Sequence, residues 1–215
     1  MAEKDLTQVR RAPEKQTRDQ RAIRNLLDRA IVAHVAVVDD GQAICIPVAC
    51  APFEDELLLH GSTASRLFRL LANGASACVT ITNVQALVLA RTAFDSSLHY
   101  QSLVAFGVAR VLDGEEKVCA LNSFTDHLFP MRRSQLRDST KKELAATSVL
   151  SFPLTKVSMK VSDNLPENRD ETTDPLLWIG VLPISSTYGK PIAIPDQDST
   201  IATPDYISGW PINRI

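Results

Sequence analysis

Long apolar runs are missing from this chain. No stretch approaches the roughly 20 residues of a membrane-spanning helix, and the opening MAEKDLTQVRRAPEKQTR has no apolar signal-peptide core. A soluble, cytoplasmic protein with no membrane partner is expected. An excess of one charge is missing too: the net charge of −2 leaves no electrostatic case for nucleic acid. Cysteine is sparse. Cys45, Cys50, Cys78 and Cys119 lie far apart with no C-x-x-C pair, which excludes a disulfide scaffold and suits reduced, buried thiols. His34, His60, His99 and His127 lack metal-ligand spacing, so no metal site is expected. There is no G-x-S-x-G elbow, no phosphate loop, no G-x-G-x-x-G fingerprint, no internal repeat and no low-complexity tract.

What is present is an ordinary globular balance: 215 residues, 45% hydrophobic and 22% charged, enough to bury a real core. The chain is organised around Leu57–Thr82, LLLHGSTASRLFRLLANGASACVTIT. Its pattern predicts a strand ending at His60-Gly61, a helix capped by Ser62, a stop at Asn73-Gly74, and a second strand from Ala77 to Ile81. The turn gathers hydroxyls (Ser62, Thr63, Ser65) and Arg66 at a helix start, a composition that could hold a phosphate. A plain N-cap beside a solvated arginine has the same composition, so both readings stand.

Residues 1–17 are polar and read as a loose arm, and Asp19–Ala30 as an amphipathic helix. His34–Val38 and Ala43–Ala49 read as a hairpin turning at Asp39-Asp40-Gly41. Pro47 marks an edge or bulge of that hairpin. Ala86–Ala90 reads as a separate strand, and 94–99 as a loop. Tyr100–Val111 reads as one long strand bent at Gly107, which favours a barrel over a flat sheet. Gly114–Phe129 returns to helical period, and Thr140…Glu143 is a capping box. Strands at Val149–Phe152 and Lys156–Val161 precede an acidic run, 163–174, expected as a mobile surface loop, then the apolar Leu176–Pro183 and a proline-rich tail.

HGSTASRLFRLLANG and LVLARTAFDSSLHYQSLVAFGVARV, with the later HLFPMRRSQLRDSTKKELAATSVL and WIGVLPISSTYGKPIAIPD, resemble the FMN-binding split-barrel superfamily. They are most similar to its pyridoxamine-phosphate-oxidase-like branch, which includes nitroimidazole-resistance proteins. The resemblance spans roughly residues 20–196 and divides the chain into an arm (1–17), an FMN-binding split-barrel domain (18–196) and a tail (197–215). It implies a mainly β fold: a six-stranded antiparallel split barrel with flanking helices, dimerising with FMN at the subunit interface. By position, Ile46, Pro47 and Val48 would lie along the flavin ring, and His60, Ser62, Ser65 and Arg66 would hold the phosphate. Tyr100 and Ser102 would line the same pocket, and Trp178 would approach from the C-terminal segment, across the dimer.

The arginine-containing C-terminal motif of true pyridoxamine-phosphate oxidases is not recognisable in GWPINRI, so vitamin B6 oxidation is not assigned. No acid or base stands out as catalytic; a flavin carries hydride chemistry itself. The expected function is an FMN-dependent oxidoreductase acting on a small organic molecule or electron donor. The rivals are a flavin-binding module without turnover and a haem protein on the same barrel with a histidine ligand.

Overall fold

The computed structural model describes residues 5–166, 176–198, 200–208 and 210. The strands are β1 (Gln16–Thr17), β2 (Val32–Asp39), β3 (Gln42–Phe53), β4 (Glu56–Ser62), β5 (Ser76–Leu89), β6 (Ser97–Val108), β7 (Arg110–Val111), β8 (Thr147–Pro153), β9 (Val157–Ser162) and β10 (Gly180–Pro183). The helices are α1 (Gln20–Arg29), α2 (Arg66–Ala72), α3 (Gly114–Leu128), α4 (Lys141–Ala146) and α5 (Asp205–Ser208).

The strands join in the order β1-β9-β6-β5-β2-β3-β4-β8-β7, with β10 added to β5 and every pairing antiparallel. This is the expected mainly β split barrel, built from seven strands of six residues or more with three short additions. Two chain segments close it. β3 pairs with β2 over Gln42–Ala49 and with β4 over Cys50–Phe53, and β6 runs through Ala109 into β7, which pairs with β8.

Two runs expected as separate strands are one. β5 is continuous from Ser76 to Leu89, its register shifting between Val84 and Ala86. Thr82, Asn83 and Val84 stay paired with β6, and the apparent break is a bulge at Gln85. Gly107 is not one: it pairs in register with Ala77. A Cβ there would lie 2.8 Å from Pro153 Cγ, so glycine lets the two half-sheets meet.

α1 starts at Asp19, whose carboxylate accepts from the Arg21 N–H, and buries Ile23, Leu26 and Leu27. Each such side chain contributes about 1.5–3 kcal/mol by leaving water. They close one mouth of a barrel core that includes Val35, Val79, Leu103 and Met159. α3 covers a second, smaller core of Ala51, Leu58, Leu112, Ala120, Phe124 and Val149 on the far side of β4. The capping box of α4 forms as expected: Thr140 Oγ1 accepts from the Glu143 N–H, and Glu143 from the Thr140 N–H.

The later part of the arm, residues 11–17, is held against the sheet. β1 pairs with β9, Lys15 Nζ donates to Ser162 Oγ at 3.0 Å, and Lys160 Nζ donates to the Arg11 carbonyl at 3.2 Å. Of the cysteines only Cys50 is buried, its thiol pushed up to about 12 by that burial; Cys45 and Cys119 are exposed. The acidic run falls outside the described residues from 167 on.

Candidate functional site

The turn after β4 is built differently from its sequence pattern. Ser65, not Ser62, is the N-cap of α2, and its hydroxyl caps nothing. The Ser62 hydroxyl accepts from the Ala64 N–H at 3.1 Å, and the Ser62 carbonyl from the Ser65 N–H at 3.0 Å. The chain therefore makes one extra tight turn before helical geometry begins. α2 is only 7 residues long, so its dipole is short and any anion there would rest on side chains. Arg66 is spoken for: its Nε donates to the carboxylate of Asp39, at the end of β2. The arginine side chain is 59% exposed and the aspartate 21%.

His60 leaves the turn for the α3 side. Its ring stacks on Phe124 with centroids 4.3 Å apart and planes 14° from parallel. Its Nδ1 is buried and has no hydrogen-bond partner among the described residues. The next residue, Gly61, lies against Phe68 of α2 so closely that a Cβ would collide with the ring. Alternation along β4 thus sends His60 to the smaller core and Gly61 to the larger one.

Ile46, Pro47 and Val48 lie where β3 has a single neighbour, since its pairing with β4 stops at Cys50. The Cys50 N–H donates to the Ile31 carbonyl at 3.1 Å. Antiparallel alternation then turns Ile46 and Val48 backbone groups toward β2 and those of Pro47 toward the open edge. The donor that proline lacks is one β2 would not have used, which is why the strand tolerates it. Val48 is buried, whereas Ile46 is 38% exposed.

Tyr100 and Ser102 stand on the outer face of the sheet, out of step with the buried Leu103 and Ala105. Ser102 is opposite Thr82 and Tyr100 opposite Val84. Asp39, which holds Arg66, lies two residues beyond the Val37–Ala77 pair toward the other end of β5. At about 3.3 Å per residue, Ser102 is roughly 23 Å along the sheet from the Arg66 ion pair. Trp178 lies farther still, beside β10 at the distal end of β5, 66% exposed with its ring over Gly180. One chain therefore spreads its expected site residues along the sheet, with Ile46–Val48 between the Arg66 end and the Tyr100, Ser102 and Trp178 end, and does not join the two ends.

Sequence reasoning missed a cavity of about 620 Å³ between the barrel and the tail. Val32, Ala49, Leu128 and Phe129 form its barrel side, and Tyr188 and Trp210 its tail side. The tail is held there by Tyr206, whose hydroxyl donates to Gln135 Oε1 at 2.9 Å and accepts from Arg132 at 3.1 Å. Tyr188 and Tyr206 also pack on Trp210, with centroids 6.3 and 6.1 Å away. Three aromatics in a proline-rich tail were the available signal, since rings that size need a surface to cover.

With this geometry in view, comparison with known proteins is decisive. The family described as Pyridoxamine 5'-phosphate oxidase matches residues 19–161. The chain belongs to that family. This pyridoxamine 5'-phosphate oxidase relative is 37% identical to the FAD and haem binding protein of Mycobacterium smegmatis, with a TM-score of 0.87 over 91% of this chain and 96% of that one. It is 29% identical to the flavocytochrome Anf3 of Azotobacter vinelandii, with a TM-score of 0.89 over 97% and 98% of the two chains. A Bacteroides thetaiotaomicron protein assigned to 5-nitroimidazole antibiotic resistance shares the fold at 20% identity and a TM-score of 0.58, over 68% of this chain and 86% of its own. No curated protein matches the sequence.

Proposed function

We propose that this member of the pyridoxamine 5'-phosphate oxidase family is a flavin-dependent redox protein whose flavin site is completed by a second copy of the chain. The flavin is FMN, or the FMN half of FAD, as in the name of the M. smegmatis relative. The observation that carries the reading is the separation, within one chain, of the Arg66 turn from Tyr100, Ser102 and Trp178. The Arg66 turn lies toward one end of β5 and Tyr100, Ser102 and Trp178 toward the other, Ser102 roughly 23 Å along the sheet from the Arg66 ion pair, with Ile46–Val48 level with Val79–Ile81 between them. A two-fold partner stacked on the outer face would oppose the Arg66 end of one chain to the Ser102 end of the other. That face is suited to the contact, carrying Ala36, Cys45, Cys78, Val104 and Phe106 in neighbouring strands.

The open edge of β3 fits a flat polar ring: it offers unpaired backbone groups beside Pro47 and apolar cover from Ile46. Bound there, the flavin would supply the hydride and electron chemistry. The chain's own part is to grip the phosphate with Ser65 and Arg66 and to keep water off the ring. Arg66 must first exchange Asp39 for the phosphate. A spectrum of the purified protein, followed by mass spectrometry of the released cofactor, tests the reading. A colourless protein that takes up neither FMN nor FAD overturns it.

A second reading adds haem to the flavin, and the aromatic cavity favours it. Two relatives covering nearly the whole chain are named for flavin with haem or as a flavocytochrome. The cavity is apolar and walled by Phe129 and Trp210, as a porphyrin requires. His60 has a buried nitrogen without a partner, and its stacking partner Phe124 sits one turn of α3 from Leu128 in the cavity wall. His60 is not among the residues lining the cavity, so this reading assigns it to iron only if the Phe124 ring moves aside. His60→Ala should abolish a Soret band on haemin addition while leaving flavin uptake intact.

A further inference from the structure

We propose that the cleft where β2 parts from β5 is a binding subsite for a small organic carboxylate. The two strands pair from Val37–Ala77 to His34–Thr80 and then separate. The gap is a cleft of about 270 Å³, with Leu26 and Ile81 on its apolar floor and Arg29, His34, Thr82 and Asn83 around it. Arg29 Nε donates to the Asn25 carbonyl at 3.1 Å, and Nη2 donates to Gln101 Oε1 at 2.5 Å. No carboxylate pairs with this half-buried guanidinium among the described residues, and its Nη1 has no partner there. A partly desolvated cation without a counter-ion is unfavourable, and a ligand carboxylate would supply one.

The Asn83 side chain makes no hydrogen bond among the described residues and can donate, while His34 and Thr82, exposed on the opposite face of the sheet, only rim the cleft. A cation and an amide donor, Arg29 and Asn83, on the same face as the apolar Ile81 and beside Leu26 select an oxyanion carrying a short apolar body. A phosphate lacks the apolar part, and a neutral amide would leave the cation uncompensated. His34 is the cross-strand partner of Pro47, so the cleft adjoins the strand assigned above to the flavin ring. Its role as the substrate's place rests on that reading; carboxylate binding itself does not.

The full chain as purified should be titrated with benzoate and with benzamide, its neutral isostere, by calorimetry. Benzoate should bind saturably and at least tenfold more tightly than benzamide. Arg29→Gln should reduce benzoate to the benzamide level. Asn83→Leu, which fills the cleft and keeps the cation, should abolish binding. If Arg29→Gln melts early through loss of its Gln101 contact, Asn83→Leu decides. No benzoate binding, equal affinity for both probes, or benzoate affinity unchanged in the folded variants overturns the subsite. A colourless protein that still binds benzoate would sink the flavin reading and spare the cleft; a flavin-loaded protein that ignores benzoate would do the reverse.

Discussion

Arg66 shows how one side chain can be both expected and rearranged. Its place after a hydroxyl-rich turn suggested a phosphate ligand, but locally it binds Asp39. Exposed pairs of this kind contribute about 0–1 kcal/mol to stability, so the pair can open at little cost. Arg66→Ala should therefore leave the melting temperature nearly unchanged while weakening FMN by roughly tenfold to a hundredfold, the value of a charge-assisted contact. Asp39→Asn should shift FMN affinity the other way, because the competing carboxylate is gone. Fluorescence titration measures both; equal affinities in parent and Arg66→Ala would remove Arg66 from the site. Gly61 makes the complementary case, since its constraint is steric. A methyl group there meets the Phe68 ring, and Gly61→Ala should cost about 1–3 kcal/mol through overpacking, read as a lower denaturation midpoint.

At the scale of elements, legibility followed locality. α1, α3 and the α4 capping box were plain because periodicity and caps are written within a few residues. β5 was read as two strands because its bulge interrupts the apolar pattern, although pairing to β6 carries the strand through. The N-cap fell three residues late because Ser62 and Ser65 are equally good caps and only the extra turn decides between them. The α4 cap also sets a pH dependence. Glu143 is held down at about 2 by hydrogen bonds from Arg137 and from Thr140. A carboxylate depressed in the folded state contributes stability above its ordinary value of 4.5 and loses it as pH falls toward 2. Glu143→Gln should flatten the acid limb of the stability profile across that window by lowering stability near neutrality and leaving it nearly unchanged near pH 2. An acid limb as steep as the parent's would mean that the cap frays in solution.

For the whole molecule, the split-barrel topology was legible and the spaces between its parts were not. Both the tail cavity and the β2–β5 cleft depend on segments distant in sequence meeting, such as Tyr206 with Arg132, and no local pattern encodes that. A flavin site shared by two chains predicts mass-action behaviour: FMN affinity should fall on dilution in step with dissociation of the dimer. Sedimentation and FMN titration over the same concentration range would show it, and a monomer with undiminished affinity would refute it.

The proline on the open edge of β3 has a consequence for the chain before it finds cofactor or partner. From Gln42 to Ala49 that edge is a bare template, flanked by apolar side chains, onto which any stray strand could be added. Pro47 withholds a donor from the solvent side of the ladder while leaving the β2 side whole. The newly made protein thus carries its own guard against fibrous self-association. Pro47→Val should fold, yet scatter light sooner than the parent when flavin-free, and the difference should vanish once flavin covers the edge.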